Sequence, residues 1–449
     1  MTAPARTAAY HALRAVAANR EDLPTALARS RTHLDDDRDR GLAAEIVTGT
    51  LRWQRCLDHL IEHFAKRPLS TLDTDVVVIL RLSVYQVLHL DRVPASAVVD
   101  DAVNLTRGAK KKSASGFVNA VLRTLLRQRN RLPLPPRPEH PADRRAALEY
   151  LGITQSHPDW LVARWFDRYG LDAADRWVRF NNDTPPLTVR ANRLRVTRDR
   201  LRATLAGQGV ETEPTRYAPD GLVVTEGNPL HAESNDGSFF VQDEASQLVS
   251  LAVGAQPGER VLDLCASPGG KTTAMAADMH DTGLILASDV RSRRLNLLRE
   301  TVESSGARHV HVVQVPAHGA LPFRVPFDRV LVDAPCSGLG TVRRDPDIRW
   351  RRAETELAGL ARGQLVLLHR AADAVAPGGR LVYATCSSEP EENEQVIDRF
   401  LQDQPAFELV DLRGESPLLD PLLDGRGMMR TLPFEHALEA FFAAALVRR

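Results

Sequence analysis

The sequence is poor in the residues that mark secreted and membrane proteins. Only four of its 449 residues are cysteines, too few for a disulfide framework. No run of about 18 apolar residues predicts a membrane span, and the first residues lack the apolar centre of a signal peptide. We therefore expect a cytoplasmic protein that neither spans nor binds a membrane.

An overall excess of one charge is also missing. The chain has 58 Lys and Arg against 58 Asp and Glu, so a surface for nucleic acid must come from local clustering. With 449 residues and 43% hydrophobic residues, the chain is long enough to build two or three domains with their own cores. We expect these domains to belong to a monomer.

The first domain is predicted at residues 1–132, where apolar residues recur at helical spacing. Between Arg107 and Arg131 there are eight Lys or Arg residues and no acid. Such a one-signed cluster in a neutral chain favours a surface that contacts phosphates over an ordinary solvated face. The side chains predicted to make these contacts are Lys110, Lys111, Lys112, Arg123 and Arg127.

A second feature of this region is the series Cys56, His59 and His63, which lie about one helical turn apart. They share their helix with apolar residues, and no fourth ligand is evident nearby in the sequence. We interpret them as ordinary packing residues, and no metal site is predicted for the chain.

Five prolines within residues 133–141 predict an extended linker, which we place at 133–145. Residues 146–238 mix helical and strand patterns, which predicts a small α+β domain that includes a helix ending at Gly170. From residue 239 to 449, strands and helices alternate. This order predicts a C-terminal α/β domain with a parallel sheet.

A glycine-rich turn, Ala266-Ser-Pro-Gly-Gly-Lys-Thr272, follows the first strand of this α/β domain. A phosphate-binding loop requires glycine where Cys265 stands, and a dinucleotide fingerprint requires Gly-x-Gly-x-x-Gly. The remaining interpretations are a tight turn without a ligand and an S-adenosylmethionine site, and Asp289 at the end of the second strand favours the latter. The predicted cofactor residues are Cys265, Ala266, Ser267, Pro268, Gly269, Gly270, Lys271, Asp289 and Asp333.

Two further strands lead into Cys336 and Cys386, with Asp333 three residues before the first cysteine. Ligands bind at the carboxyl ends of strands in such sheets, and an ionised cysteine is a strong nucleophile. A thiolate that adds to carbon-6 of cytosine makes carbon-5 reactive towards a methyl donor. Asp333 is suited to assist at ring nitrogen-3 and the exocyclic amine. Periodicity does not decide which cysteine is the nucleophile.

Several motifs together resemble the RNA cytosine-5 methyltransferase family, and the helical N-terminal region resembles the RNA-binding domain of the antitermination factor NusB. The motifs are Asp263-Leu-Cys-Ala-Ser-Pro-Gly-Gly-Lys271, Asp333-Ala-Pro-Cys-Ser-Gly338, Arg343-Arg-Asp-Pro-Asp-Ile-Arg-Trp350 and Thr385-Cys-Ser-Ser-Glu-Pro-Glu-Glu-Asn393.

This resemblance implies a class I, Rossmann-like methyltransferase fold, S-adenosylmethionine as cofactor and a cytosine in small-subunit ribosomal RNA as substrate. It also implies that Cys386 is the nucleophile and that Cys336 assists product release. Arg343, Arg344 and Arg349 are expected to bind the RNA backbone while the target base is unstacked.

Two rival functions stay open at this point. One keeps the chemistry and changes the substrate to transfer RNA, although the helical N-terminal domain favours ribosomal RNA. The other is a non-catalytic RNA-binding assembly factor. Its support is that Val315-Pro-Ala-His-Gly319 lacks the acid that contacts the cofactor's adenine in the family, with Pro316 or Ala317 at that place. Intact Cys336, Cys386 and Asp333 favour the enzyme.

Overall fold

A computed structural model of the chain describes residues 2–231 and 236–449. Its contacts divide the chain into two compact units. The first unit comprises Met1–Thr184 with Val342–Arg352, and the second comprises Pro185–Thr341 with Ala353–Arg449. This division cuts the predicted middle range at Thr184, and the domain boundaries predicted at 132, 145 and 238 stay predictions.

The elements follow the helix-rich and then alternating order that the sequence predicts. The α-helices are α1 (Pro4–Ala17), α2 (Leu23–Arg31), α3 (Asp37–Arg52), α4 (Gln54–Ala65), α5 (Thr74–His89), α6 (Ala95–Gly108), α7 (Ser115–Gln128), α8 (Arg144–Glu149), α9 (Asp159–Asn182), α10 (Arg198–Gly207), α11 (Glu244–Val253), α12 (Gly270–Asp278), α13 (Ser292–Ser305), α14 (Ile348–Arg351), α15 (Leu357–Ala372), α16 (Glu394–Asp403) and α17 (Pro433–His436). The strands are β1 (Thr188–Ala191), β2 (Glu211–Pro214), β3 (Gly221–Glu226), β4 (Phe239–Val241), β5 (Arg260–Asp263), β6 (Leu284–Asp289), β7 (Val310–Gln314), β8 (Phe327–Asp333), β9 (Val375–Thr385), β10 (Phe407–Val410), β11 (Met429–Arg430) and β12 (Phe442–Arg448).

The first unit is helical, as the sequence predicts. Its α1–α7 share one core, with α5 buried along most of its length. The apolar face of α7 packs into this core, and Arg123 and Arg127 are exposed on the same helix. The predicted end of a helix at Gly170 corresponds to a break within α9, where Gly170 adopts φ +77°. Glycine reaches this left-handed conformation without a steric penalty.

The second unit begins with a small antiparallel sheet in the order β2–β3–β1–β4. Helix α10 packs on it through Leu201 and Leu205. The sequence analysis missed β2 because Glu211-Thr-Glu-Pro214 has a weak strand propensity. Pairing with β3 holds this segment in the sheet, so the tertiary context decides its structure.

The larger sheet has the order β10–β12–β9–β8–β5–β6–β7, and β11 pairs with β12. Strands β5–β9 run parallel, as predicted, whereas β12 runs antiparallel to both β9 and β10. The chain moves outward from β5 to β7 and then returns to β8 on the other side of β5. This reversal makes a topological switch point between β5 and β8, where open α/β sheets bind ligands.

Alternate residues of the larger sheet pack into two cores. Val261 and Leu331 lie in one core with residues of α11–α13, and Leu262 and Val332 lie in the other with residues of α15 and α16. This alternation follows from the two-residue period of a strand. No helix within the described residues has the length and hydropathy that crossing a membrane requires.

Candidate functional site

The glycine turn connects β5 to α12 at the switch point. Gly269 caps α12 with φ +110°, and a Cβ at this position would lie 2.9 Å from a methyl carbon of Leu298. Both the conformation and the close packing against α13 therefore require glycine. The first turn of α12 leaves backbone N–H groups without helical partners, which suits a polar ligand.

Two buried carboxyl groups end the neighbouring strands β5 and β6. The Asp263 side chain accepts a hydrogen bond from Thr272 Oγ1 at 2.6 Å through Oδ2, and its Oδ1 has no partner among the described residues. Burial raises the pKa of Asp263 to about 7, although the Thr272 hydrogen bond opposes this shift. Asp289 is 4% exposed and accepts from the Arg291 backbone N–H at 3.0 Å. The spare oxygen of Asp263 suits a ligand that carries an ammonium group.

Cys265 lies between β5 and the glycine turn. Burial raises the pKa of its thiol well above the usual range, and nearby carboxylates raise it further. The thiol therefore stays protonated, so Cys265 is suited to packing against a ligand and unsuited to nucleophilic attack.

Residues 315–319, which follow β7, contain no Asp or Glu. Arg370 donates hydrogen bonds to the backbone carbonyls of Pro316, Ala317 and Gly319 at 2.9, 3.1 and 2.7 Å. Val315 is buried at the start of the segment. Arg370 therefore fixes the backbone of this segment, and Val315 packs into the core beneath it.

The two cysteines of the predicted site lie together. Strands β8 and β9 pair in parallel, with Asp333 opposite Ala384, so that their carboxyl ends meet. The Cys336 and Cys386 sulfur atoms are 3.2 Å apart, and both residues are free thiols. The backbone carbonyl of Cys386 accepts from the Gly340 N–H at 3.0 Å, which ties one cysteine loop to the other.

The pKa of the Cys336 thiol depends on its neighbours in the site. The hydrogen bond with Cys386, followed by burial, raises the pKa of the Cys336 thiol well above the usual range. The two thiols share this hydrogen bond, in which either sulfur can be the donor. The separate roles predicted for Cys336 and Cys386 therefore stay predictions.

Lys271 brings a positive charge to the same place. Its Nζ lies 2.7 Å from Asp333 Oδ2 and 3.2 Å from Ser246 Oγ. Burial alone would lower the pKa of Lys271, but attraction by Asp333, and then by Cys386, raises it on balance. The sequence pattern places Lys271 in the cofactor turn but does not predict its pairing with Asp333, since the two residues are 62 positions apart.

Glu392 is another buried residue that the sequence analysis quoted in a motif without assigning it a role. Its carboxylate accepts hydrogen bonds from Ser337 and Ser387, the residues that follow the two cysteines. The sequence does show that each cysteine is followed by a serine. Only the fold shows that Glu392 connects these two serines.

The predicted RNA-contacting residues of the helical region have different surroundings. Lys110 and Lys112 are exposed, while Lys111 forms an ion pair with Asp73 at 2.5 Å. Arg123 and Arg127 are exposed on α7. Their contact with RNA stays a prediction.

Arg349 requires a correction, because it is fully buried within the first unit. Its guanidinium donates to the carbonyl oxygens of Ser156 and Asn181 and to Asn182 Oδ1, at 3.1, 3.2 and 3.0 Å. It therefore has no surface with which to bind a phosphate, and the prediction that it contacts RNA is wrong. A positive charge in the sequence does not reveal such burial.

Arg343 and Arg344 are half-buried in the same segment. The Arg343 guanidinium lies 4.3 Å from the ring centroid of Phe180 and donates to the Thr184 carbonyl at 3.0 Å. Their predicted contacts with RNA stay predictions. Across residues 2–231 and 236–449, no group of three or more His, Cys, Asp or Glu side chains is arranged to hold a metal ion.

The open sheet, the glycine turn at its switch point and the acid that ends β6 define a class I, Rossmann-like methyltransferase domain. Family models support this assignment: "16S rRNA methyltransferase RsmB/F" matches residues 250–447, "NusB family" matches 3–127, and an RsmF/B-like ferredoxin-like domain matches 157–231.

Similar proteins extend the match over almost the whole chain. The probable ribosomal RNA small subunit methyltransferase B of Bacillus subtilis is 35% identical over 92% of this chain and 91% of its own. The ribosomal RNA small subunit methyltransferase B of Pseudomonas putida is 34% identical over 99% and 98%. The crystal structure of PH0851 has a TM-score of 0.82 at 28% identity and covers 99% of both chains.

The chain therefore belongs to the 16S rRNA methyltransferase RsmB/F family. This result confirms the resemblance to rRNA methyltransferases and to NusB, and the three-part fold class predicted from the sequence: an all-α NusB-like N-terminal domain, a small α+β middle domain and a C-terminal α/β domain.

Proposed function

We propose that this rRNA methyltransferase transfers a methyl group to carbon-5 of a cytosine in 16S ribosomal RNA, through a covalent bond between Cys386 and carbon-6 of that cytosine. The observation that carries the proposal is the 3.2 Å separation of the Cys336 and Cys386 sulfurs beside the Lys271–Asp333 pair. A nucleophile, a second thiol and a charged pair at one sheet edge match the needs of this reaction.

Cys386 releases its thiol proton to the solvent, its thiolate adds to carbon-6, and the electron pair of the carbon-5/carbon-6 double bond becomes available at carbon-5. When bound, S-adenosylmethionine supplies a positively charged methylsulfonium from which carbon-5 can take the methyl group. Loss of the carbon-5 proton and elimination of the Cys386 sulfur then restore the aromatic ring. The base must be turned out of its stack to expose the ring face to the sulfur.

Asp333 contacts ring nitrogen-3 and the exocyclic amine, where charge changes as the sulfur adds. Lys271 supports this role because its ammonium lies 2.7 Å from Asp333 Oδ2 and holds the carboxylate in a fixed position. Both side chains are partly buried, so water screens their interaction less than it would at the surface.

Cys336 assists the final elimination: after its thiol has released its own proton to the solvent, the thiolate accepts the carbon-5 proton. The main cause of its raised pKa is its hydrogen bond with Cys386. Once the Cys386 sulfur is bonded to carbon-6, it is a neutral thioether and this cause is weakened. Cys336 therefore becomes easier to ionise at the stage when the reaction needs a base.

The residues of the glycine turn fit the amino-acid end of S-adenosylmethionine. The orphan Oδ1 of Asp263 can accept a hydrogen bond from its ammonium group, and the Asp289 carboxylate can accept hydrogen bonds from the ribose hydroxyls. The backbone of residues 265–271 forms the turn itself, and Val315 offers apolar contact to the adenine.

The test is to incubate the purified protein with unmodified 16S rRNA and S-adenosylmethionine, and to map methylated positions by bisulfite sequencing and mass spectrometry. We expect one cytosine to become 5-methylcytosine. Methylation of a different base, or of another atom of cytosine, would contradict the proposal. Transfer RNA serves as the comparison substrate, and preferential methylation of transfer RNA would contradict the substrate assignment.

A further inference from the structure

Each cysteine of the site is followed by a serine, and one buried carboxylate binds both serines. Glu392 Oε2 accepts from Ser337 Oγ at 2.5 Å and from Ser387 Oγ at 2.6 Å. Its Oε1 accepts from the Ser337 backbone N–H at 2.8 Å and from Gln364 Nε2 at 2.9 Å. Glu392 therefore connects the loop after β8 to the loop after β9.

The polarity of these contacts suits a carboxylate. All four neighbours donate, and a carboxylate is an acceptor with about four lone-pair sites. Glu392 is fully buried and has no Lys, Arg or His partner among the described residues. A buried charge of this kind is costly unless its hydrogen bonds are complete. The four donors meet this requirement.

The surrounding side chains hold Glu392 in place. The Gln364 amide of α15 also donates to the Pro335 carbonyl at 3.1 Å and accepts from the Tyr383 hydroxyl at 3.1 Å. The Tyr383 hydroxyl donates in addition to the Glu392 carbonyl at 2.5 Å. Next to Glu392, Asn393 donates to the Ser387 carbonyl at 3.0 Å. The carboxylate is thus supported by β9 and α15.

We propose that Glu392 is a positioning residue of the methyl-transfer site, which fixes the two cysteine loops so that their sulfurs face one another. This inference rests on the proposed function, in which both sulfurs act on the same base. Ser337 and Ser387 adjoin the cysteines in the chain, so a contact that fixes them also fixes Cys336 and Cys386, whose sulfurs are 3.2 Å apart. A misplacement of about 1 Å can slow an enzyme by about 100-fold.

The electrostatics agree with this geometry. After the hydrogen bond with Cys386 and burial, the charge of Glu392 is a further cause of the raised pKa of Cys336. Glu392 thereby acts on Cys336 through charge as well as through position.

Two substitutions separate the effect of the Glu392 charge from the effect of its hydrogen bonds on position. Glu392→Ala removes all four hydrogen bonds. Glu392→Gln keeps the shape, and its amide group can face the serine hydroxyls, which can rotate to accept. The Ser337 N–H and Gln364 then still find an oxygen, so we expect Glu392→Gln to be much milder than Glu392→Ala. Glu391→Gln is the matched control, because it removes the same charge one residue away.

The first measurement is disulfide formation in the full-length protein, without RNA or cofactor. Diamide takes two hydrogen atoms from the Cys336 and Cys386 thiols and becomes a hydrazine, while the two sulfurs form one bond. Peptide mapping by mass spectrometry follows this disulfide separately from other thiols. We expect Glu392→Ala to slow its formation at least about tenfold and Glu391→Gln to leave the rate unchanged.

The second measurement is methylation kinetics. We expect Glu392→Ala to lower kcat about 100-fold while the KM for rRNA and the Kd for S-adenosylmethionine change less than about threefold. Unchanged cofactor affinity also shows that the variant is folded. A merely destabilising substitution would lower these affinities together with kcat.

The positioning role is overturned if Glu392→Ala forms the disulfide at the wild-type rate and keeps its kcat within about threefold. If Glu392→Ala does not fold, Ser337→Ala and Ser387→Ala are measured in the same way, and wild-type rates in both would overturn it. The disulfide assay involves no methyl transfer. It therefore reports on positioning even if the proposed cytosine chemistry fails, which the product analysis of the wild-type enzyme decides separately.

Discussion

The loops that follow β8 and β9 have the same local sequence, Cys-Ser, but different surroundings. The Cys336 loop leads into residues 342–352, which pack within the first unit, whereas the chain after Cys386 reaches α16 in the second unit. The Cys336 thiol has a raised pKa, and Cys386 contributes to the electrostatic attraction that raises the pKa of Lys271. Two residues with equal chemistry can therefore take different roles because their neighbours differ.

The largest expected effect comes from removing the assigned nucleophile. Cys386→Ala should lower methylation by a factor on the order of 10⁴ or more, because no sulfur is then available to activate carbon-5. The measurement is single-turnover methylation of 16S rRNA, with cofactor affinity as the control for folding. Methylation at the normal rate would show that Cys386 is not the nucleophile.

Removing the other sulfur should give a qualitatively different result. Cys336→Ala keeps the nucleophile and loses the base, so turnover should fall roughly 10²–10⁴-fold while a covalent protein–RNA adduct accumulates. Denaturing gel electrophoresis with labelled RNA detects this adduct. If Cys336→Ala forms no adduct, or if Cys386→Ala does form one, the two cysteines do not have the different roles proposed for them.

The contribution of residues 342–352 to the stability of the first unit can be tested with a substitution of Arg349. Arg349→Ala leaves several buried backbone and side-chain acceptors unsatisfied, so we expect the free energy of unfolding of the first unit to fall by about 3 kcal/mol. Thermal and denaturant unfolding measure this change. The control is Arg343→Ala in the same segment, where a half-buried side chain should cost less than about 1 kcal/mol. Equal effects would contradict the structural role given to Arg349.

The difference in thiol ionisation predicts a smaller effect. Cys386→Ala removes the main cause of the raised pKa of Cys336, so Cys336 should ionise more readily. Its alkylation by iodoacetamide should accelerate roughly tenfold for each unit by which the pKa falls. Quantitative mass spectrometry of the Cys336 peptide measures the rate. An unchanged rate would mean that the two sulfurs do not influence one another.

Much of this site could be predicted from sequence because its parts follow strands directly. Asp289 ends β6, and Cys336 and Cys386 lie within three residues of the ends of β8 and β9. Parallel strands bring such ends to one edge of the sheet. Arg349, Glu392 and the Lys271–Asp333 pair could not be predicted in the same way, since their contacts join residues distant in the chain or depend on burial. A charge in the sequence does not tell whether it faces phosphate, water or buried carbonyl groups.

The smallest expected effect concerns Asp263, which lies on the cofactor side of the sheet edge and not in the two cysteine loops. Burial raises the pKa of Asp263 to about 7, so its carboxyl group becomes protonated as the pH falls below that value. A neutral carboxyl group binds an ammonium more weakly, so the Kd for S-adenosylmethionine should rise about tenfold between about pH 8 and about pH 6. Calorimetric titration measures this change.

Asp263→Asn is the control, because it removes the titrating group while the ionisation of the ligand continues. If wild-type and Asp263→Asn proteins show the same pH dependence, the dependence arises elsewhere and Asp263 does not hold the ammonium group.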